Sequence, residues 1–593
     1  MNSSRPPVRA NVEMAWGSDA VAQFLRDAGY TYISITPGAS FRGLHDSLVN
    51  YLGGEKPALL LCIHEEHAVA LAHGFAKVTD KAMAVALHSN VGLMHATMAI
   101  FNAWCDRVPM LIIGAQGPMD AELRRPWVEW IHTARDLGSL IRGYVKWDDQ
   151  PASVGAALEA LARAGIITAT APTGPVYVCL DLTNQEEPVR PGLALPDLAR
   201  FKPPLAAQPS DEAVVKAVEL LRAARKPVII IGRVSRDEQA WALRIALAER
   251  LGARVITDLR VGAAFPTTHE LHPHAPGLFL GEDAVATIAE ADVILSLDAL
   301  DLGGTLQRAF GVSAPSASVI SCSVDQYSHN GWSMDYLALP PVDVTLLATP
   351  DAAVPVLLKK LGDGVPMSVW ERAVRGYADC APGEQVQGAM SIQAFAEAVS
   401  EELANVECCY TSLTIGWPRE FCSFEHPLDY LGHDGGGGIG AGPGMAVGAA
   451  LALQDSGRIP VAVLGDGDFL MGATAVWTAV HEKLPLLIVI ANNSSFFNDE
   501  LHQERVARAR SRPVENRSIG LRMSDPSIDL AMIARGQGAE AFGPVRSEDE
   551  LRTIMKRAIA IVRNGAVCVI DAAVHPEYER STSVSLMKSA QTG

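Results

Sequence analysis

Charge is scarce in this 593-residue chain. Only 20% of its residues are Asp, Glu, Lys or Arg, and the acidic ones prevail, leaving a formal net charge of −18. No basic stripe is visible, so nucleic acid is not an expected partner. No apolar run reaches the ~18–20 residues a bilayer span needs, and residues 1–15 lack the apolar segment of a signal peptide. The nine cysteines are scattered apart from Cys408-Cys409 and show no CxxC spacing, which argues against a zinc site or a disulfide framework. These absences set the expectation of a cytoplasmic protein with reduced thiols and no membrane partner. What is abundant is apolar residues, at 49%. With this length they call for several separate cores, three or four by the usual domain size.

Short apolar strands alternate with helices throughout. In residues 1–190, Tyr32–Ile35, Leu59–Ile63, Ala82–Leu87, Met110–Gly114 and Val176–Leu180 read as strands, ended by turn-rich pieces such as Thr36-Pro37-Gly38. A Pro-rich joint, Pro188 to Pro209, leads into a second segment, 205–350, with a helix near Asp211–Ala224 and strands at Pro227–Ile231, Arg254–Thr257, Val293–Leu297 and Val319–Val324. A looser stretch from Pro350 to Gln387 precedes a third segment, 388–575, which starts with a helix at Ser391–Leu403 and ends with a strand at Val567–Ala572; residues 576–593 form a polar tail. The class expected is α/β, with three doubly wound parallel-sheet domains.

The most informative stretch is VAVLGDGDFLMGATAVWTAVHEKLPLLIVIANNSSFF. Val461–Leu464 and Leu486–Ala491 read as buried strands, and Ala473–Lys483 as the helix between them, stopped by Pro485. A parallel crossover of this length sets Asp466 and Asn493 side by side at the carboxyl edge of the sheet, where open α/β sheets hold ligands. One carboxylate, one amide oxygen and a nearby backbone carbonyl suit Mg²⁺, and the glycines flanking Asp466 let the backbone approach a diphosphate. GDG followed some two dozen residues later by NN resembles the cofactor motif of thiamine diphosphate (ThDP) enzymes. The three-segment layout resembles their decarboxylase and acetohydroxyacid synthase group over almost the whole chain. The resemblance implies a pyrimidine-binding domain first, a middle domain second and a diphosphate-binding domain last. It implies Mg²⁺ held by Asp466, Asn493 and the Ser495 carbonyl, and diphosphate bound at Gly467, Asp468 and, less sharply, Leu413 and Thr414.

In the first segment, LCIHEEHAVALAHGFAKVT puts His64-Glu65 at the mouth of a helix whose Ala68, Ala72 and Ala76 make one small face. A glutamate there commonly serves as a cap or dipole partner. The resemblance implies more: Glu65 bonds the aminopyrimidine ring nitrogen of ThDP and shares a proton with it, which favours the tautomer whose amine deprotonates the reactive carbon. Glu66 is expected to point elsewhere. Further on, Leu87-His88-Ser89, a helix ending in NAW and a strand ending in Gly-Ala-Gln resemble the benzoylformate decarboxylase branch. A histidine closing a buried strand is often only a polar cap, but this branch implies that His88 faces the substrate and handles protons. Two departures stand out. The serine after Pro37-Gly38 comes one position late, as Ser40 behind Ala39, and the branch's middle-domain histidine has no counterpart in Asp298–Gln307. The 2-oxo acid class is therefore better supported than benzoylformate itself.

The third segment also carries Gly435–Gly438, Gly440, Gly442 and Gly444, too many glycines for a stable helix or strand and expected to allow close backbone approach to a ligand. By resemblance, Ile439 wedges between the cofactor rings and bends it, and the Gly437 carbonyl accepts from its amine. His433, Asp434, Phe496, Phe497 and His502 are further candidates for the cavity wall. The expected function is a ThDP- and Mg²⁺-dependent carbon–carbon lyase that decarboxylates a 2-oxo acid to an aldehyde. The alternatives are an acetolactate synthase-like or benzaldehyde lyase-like carboligase, and a 2-hydroxyacyl-CoA lyase with Arg124-Arg125 and Arg505–Arg512 as its basic residues. Some carboligases of this fold carry FAD, but no GxGxxG fingerprint in the middle segment supports it. Since Glu65 and Asp466 lie in different domains, the resemblance places each site between two subunits of a homodimer or homotetramer.

Overall fold

The computed structural model describes residues 13–311, 314–325, 339–364, 368–371, 386–578 and 580–587. Three parallel sheets follow one another along it. The first contains β1 (Tyr32–Ile35), β2 (Ala58–Leu61), β3 (Met83–His88), β4 (Met110–Gln116), β5 (Asp148–Asp149) and β6 (Pro175–Asp181), in the order β2-β1-β3-β4-β6-β5. The second contains β7 (Pro227–Ile231), β8 (Arg254–Ile256), β9 (Val293–Leu297), β10 (Ser318–Cys322) and β11 (Val344–Leu346), ordered β11-β10-β9-β7-β8. The third contains β12 (Cys408–Ser412), β13 (Ile459–Gly465), β14 (Leu486–Asn492), β15 (Glu540–Val545) and β16 (Val567–Ala573), ordered β12-β13-β14-β16-β15. The three α/β units expected from the alternation are present.

Each sheet is covered on both faces, which is why its strands read as unbroken apolar runs. In β3, Met83, Val85 and Leu87 pack to one side and Ala84 and Ala86 to the other. The first of these layers does not stop at the domain edge. It continues through Ala446, Val447 and Ala450 into Ala462, Leu464, Ile488 and Val569 of the third sheet. The bridge is a pair of helices, Glu65–Thr79 and Ala441–Leu453.

Two expectations need correction. Gly442 and Gly444 are helical, in Ala441–Leu453, because that helix is buried almost all round. Burial of this extent outweighs the ~1 kcal/mol penalty per helical glycine. The helix expected over Ala473–Lys483 is present as Ala475–His481, but a second short helix, Asp466–Gly472, precedes it and starts directly on the GDG motif. The Asp466 side chain accepts the Gly467 N–H (2.9 Å) at that start, satisfying one of the first-turn donors. Part of the polar tail is a helix too, Arg580–Met587, with Leu586 buried against Phe497 and Leu501. No helix among the described residues is long and apolar enough to cross a membrane.

Candidate active site

At the carboxyl edge of the third sheet lies a cavity of about 320 Å³. Its wall comes from the third domain and the start of the tail, between Ile392 and Tyr578. It gathers every residue of that domain expected to hold a cofactor: Leu413, Thr414, Gly437, Ile439, Asp466, Gly467, Asp468, Asn493 and Ser495. The register explains the convergence. Gly465 at the end of β13 pairs with Ala491 of β14, so the residues leaving the two strands emerge side by side.

The two asparagines then diverge. Asn492 is structural: its amide donates to Asp571 (2.9 Å), and its carbonyl oxygen accepts from the N–H and hydroxyl of Ser494 (3.0 and 3.1 Å). Ser494 adopts a left-handed backbone, φ 53°, which tightens the turn and leaves Asn493 and Ser495 on the cavity. Ser495 is fixed from three sides. Its N–H donates to Asn493 Oδ1 (3.0 Å), its hydroxyl donates to Glu500 (2.5 Å), and a bridge to Arg522 runs through Phe496 N–H and the Ser494 carbonyl, sparing the Ser495 carbonyl.

Asp466 is 4% exposed; its Oδ1 accepts from the Gly467 N–H (2.9 Å), while Oδ2 is buried with no hydrogen-bond partner. Burial pushes this carboxyl up to about 7. A bare buried carboxylate oxygen beside an amide oxygen and a spared backbone carbonyl is a donor set that fits a small hard cation. Asp468 plays another part. Its Oδ1 accepts from the N–H groups of Gly440 (2.6 Å) and Gly442 (3.3 Å), and burial, then Asp434, pushes it up to about 6. The GDGD run thus aims one carboxylate at the cavity and ties the glycine-rich loop down with the next.

Glu65 and His88 do not line this cavity. Glu65 heads its helix and is 7% exposed, with Oε2 lying 3.1 Å from Nδ1 of His95. His64 caps that helix by accepting the Glu66 N–H at Nδ1 (3.1 Å), and its ring stacks on His95. Glu66 is partly buried, and burial, then Asp468, raises its carboxyl. His88 closes β3 half-buried, with Nδ1 2.9 Å from the Ser40 hydroxyl. The late serine therefore still reaches the histidine. His433 and Asp434 do line the cavity and bond one another; burial alone would depress the imidazole, but Asp434 outweighs it and raises it. Phe496 and Phe497 line the wall and His502 does not.

Sequence reasoning missed several residues. Glu577 and Tyr578 close one side of the cavity, the Tyr578 ring packing edge-on against Phe497. Asn102, in the NAW segment, donates to the Gly438 carbonyl (3.5 Å). Most substantial is an ion cluster joining the domains. Lys77 donates to Asp106 (2.9 Å) and to the His433 carbonyl (2.6 Å), and His73 meets the same Asp106 oxygen at 2.8 Å. Burial alone would raise the Asp106 carboxyl; Lys77 and His73 overcome it and hold it well below its ordinary value. None of these pairings has a signal in local spacing.

Three family models match the chain: the N-terminal TPP binding domain of thiamine pyrophosphate enzymes over residues 15–136, their central domain over 214–326, and their C-terminal TPP binding domain over 412–572. Among curated proteins, the chain is 26% identical over 525 residues to a benzoylformate decarboxylase of Pseudomonas aeruginosa, covering 87% of this chain and 92% of that one. It is 24% identical over 559 residues to an acetolactate synthase large subunit of Corynebacterium glutamicum, covering 92% and 85%. Among solved structures, a thiamine diphosphate-dependent 4-hydroxybenzoylformate decarboxylase of Rhodococcus jostii RHA1 superposes with a TM-score of 0.74 at 22% identity, covering 95% of this chain and all of that one.

Proposed function

The chain belongs to the thiamine pyrophosphate enzyme family, and from that premise we propose that it is a ThDP- and Mg²⁺-dependent lyase that decarboxylates a 2-oxo acid to an aldehyde without oxidation. Asp466, Asn493 and the Ser495 carbonyl would hold Mg²⁺. Gly467, Asp468, Leu413 and Thr414 would hold the diphosphate, and Gly437 and Ile439 the bent ring system. ThDP, when bound, supplies a carbon nucleophile and a positive ring that accepts the electron pair left as CO₂ departs. The chain's own residues do the remainder. Glu65 holds a proton on the aminopyrimidine, Ile439 fixes the approach of the reacting groups, and the cavity's apolar wall excludes water.

The observation that carries the lyase reading is His88, a half-buried imidazole held at Nδ1 by Ser40. A titratable group beside the reacting carbon can deliver the proton that turns the decarboxylated product into an aldehyde. The acetolactate synthase relatives favour a second reading, in which an acceptor carbonyl captures the same carbon and a new carbon–carbon bond forms.

A complete site would take Glu65 and His88 from a second copy, because the cavity wall in one chain contains neither. The chain exposes apolar side chains on both candidate faces. Met94 (57% exposed) and Trp130 (67%) belong to the segments that follow His88 and β4, and Met471 (57%) to the helix that begins at Asp466. A homodimer, or a homotetramer built from dimers, would cover them. The eight cysteines of the described residues are free thiols, in keeping with a cytoplasmic protein.

The deciding experiment measures CO₂ release with Mg²⁺ and ThDP across aliphatic, aromatic and acidic 2-oxo acids, with and without an acceptor aldehyde. Release that requires ThDP and falls by about 10²–10⁴-fold in Glu65→Gln supports the reading. No release from any acid, in protein shown to bind ThDP, overturns it.

A further inference from the structure

Two segments pack against His88, and one of them brings a second imidazole. The turn after β1 places Ser40, whose hydroxyl lies 2.9 Å and whose backbone N–H lies 3.4 Å from Nδ1 of His88. At Gly38 a Cβ would sit 2.3 Å from the His88 ring, so the turn can run against it only without a side chain. Phe41 meets the ring edge-on at 6.3 Å. From the segment after β4 comes His132, with ring centroids 4.9 Å apart and planes at 61°.

We propose that His132 is the positioning partner of His88, completing a Ser40–His88–His132 group that sets which His88 nitrogen is protonated and how readily the ring takes a second proton. It rests on the reading of His88 as the proton-handling residue.

The argument begins with Ser40. A backbone N–H can only donate, so its approach makes Nδ1 an acceptor and leaves the proton of the neutral ring on Nε2. Charging the ring puts a second proton on Nδ1, against that donor. His132 opposes the charge from the other side, since two imidazoles this close do not both become cations without repulsion. The charged or titratable groups facing His88 are His132, from the segment after β4, and Glu65, from the helix after β2; Ser40 is neutral. Burial and His132 lower the His88 imidazole, and Glu65 raises it. His132 is held in place by its backbone: its N–H donates to the Glu129 carbonyl (3.0 Å), and its carbonyl accepts from Gly117 (3.1 Å). Glu129 is buried and grips Arg125 through both main chain and side chain. The main chain that carries His132 is therefore anchored beside His88. A ring kept neutral until it meets a proton source, and strongly acidic once charged, suits transfer to a developing carbanion.

The test reads histidine titration by NMR in the full-length, cofactor-free protein carrying ¹³C-labelled histidine, with His88→Gln used to assign the resonance. His132→Gln is expected to raise the His88 midpoint by about half a pH unit or more, and His132→Lys to lower it. Shifts of opposite sign are beyond a merely structural role. A His88 midpoint unmoved by both substitutions, in folded protein, overturns the proposal. In the active enzyme the alkaline limb of CO₂ release should move in the same directions. The titration needs no turnover, so failure of the lyase reading and failure of the histidine couple are separately visible.

Discussion

The Asp466 carboxyl has one oxygen bonded and the other bare, in a setting that keeps a proton on it up to about 7. A cation entering there must displace that proton. Cofactor affinity in the presence of Mg²⁺ should therefore fall about tenfold for each pH unit below about 7 and level off above it, as calorimetric titration between about pH 5 and 8 would read. The sign for stability follows from linkage. The folded carboxyl holds its proton above the ordinary 3.8, so the unfolded chain ionises first. The cofactor-free protein then loses stability as pH rises from about 4 to about 7. The gain in melting temperature on adding Mg²⁺ and ThDP should consequently be larger at about pH 8 than at about pH 5. The meeting of Asp466 and Asn493 at one sheet edge was legible in the sequence because two strand ends fix them locally, while Ser495 came from the family resemblance. Ser40's bond to His88, the His132 contact and the Tyr578 wall were not, since each joins positions that only the folded chain brings together.

Among the elements, the helix pair Glu65–Thr79 and Ala441–Leu453 holds the first and third domains together. Its contact is backbone on backbone: a Cβ at Gly74 would lie 1.9 Å from the Met445 carbonyl oxygen, and one at Gly448 would lie 1.8 Å from that of Leu71. Alanine at either position should cost at least about 1–3 kcal/mol in denaturant unfolding, although alanine favours helix. The small face at Ala68, Ala72 and Ala76 was readable from its four-residue spacing. Its complement was not, because glycines read locally as a loop and become helical only when the partner helix excludes water from them. At the far end of the Glu65–Thr79 helix, Lys77→Met would leave Asp106 buried with His73 as its remaining side-chain hydrogen-bond partner. The expected loss is about 3–5 kcal/mol, with a glycine loop more open to amide exchange at Gly435–Gly438 because His433 is no longer held.

For the whole molecule, the three-domain layout was legible because each sheet announces itself as apolar strands between helices. How the domains meet was not, since shared cores such as Leu87 with Ile488 leave no local pattern. The proposed dimer makes a sharp prediction. Mixed after dissociation, inactive Glu65→Gln and Asp466→Ala subunits should recover up to about a quarter of wild-type turnover, because half of the random pairs carry one intact site. Recovery absent from correctly reassembled mixtures would mean that both residues serve the same chain. The cavity of one chain has a further consequence. It holds every proposed cofactor ligand of the third domain, so a dissociated subunit keeps its grip on the diphosphate end while losing the glutamate supplied by its neighbour. Dilution should then separate occupancy from turnover: specific activity falls with protein concentration by mass action while cofactor stays bound. Added ThDP should in turn draw subunits together at concentrations where the bare chain stands alone.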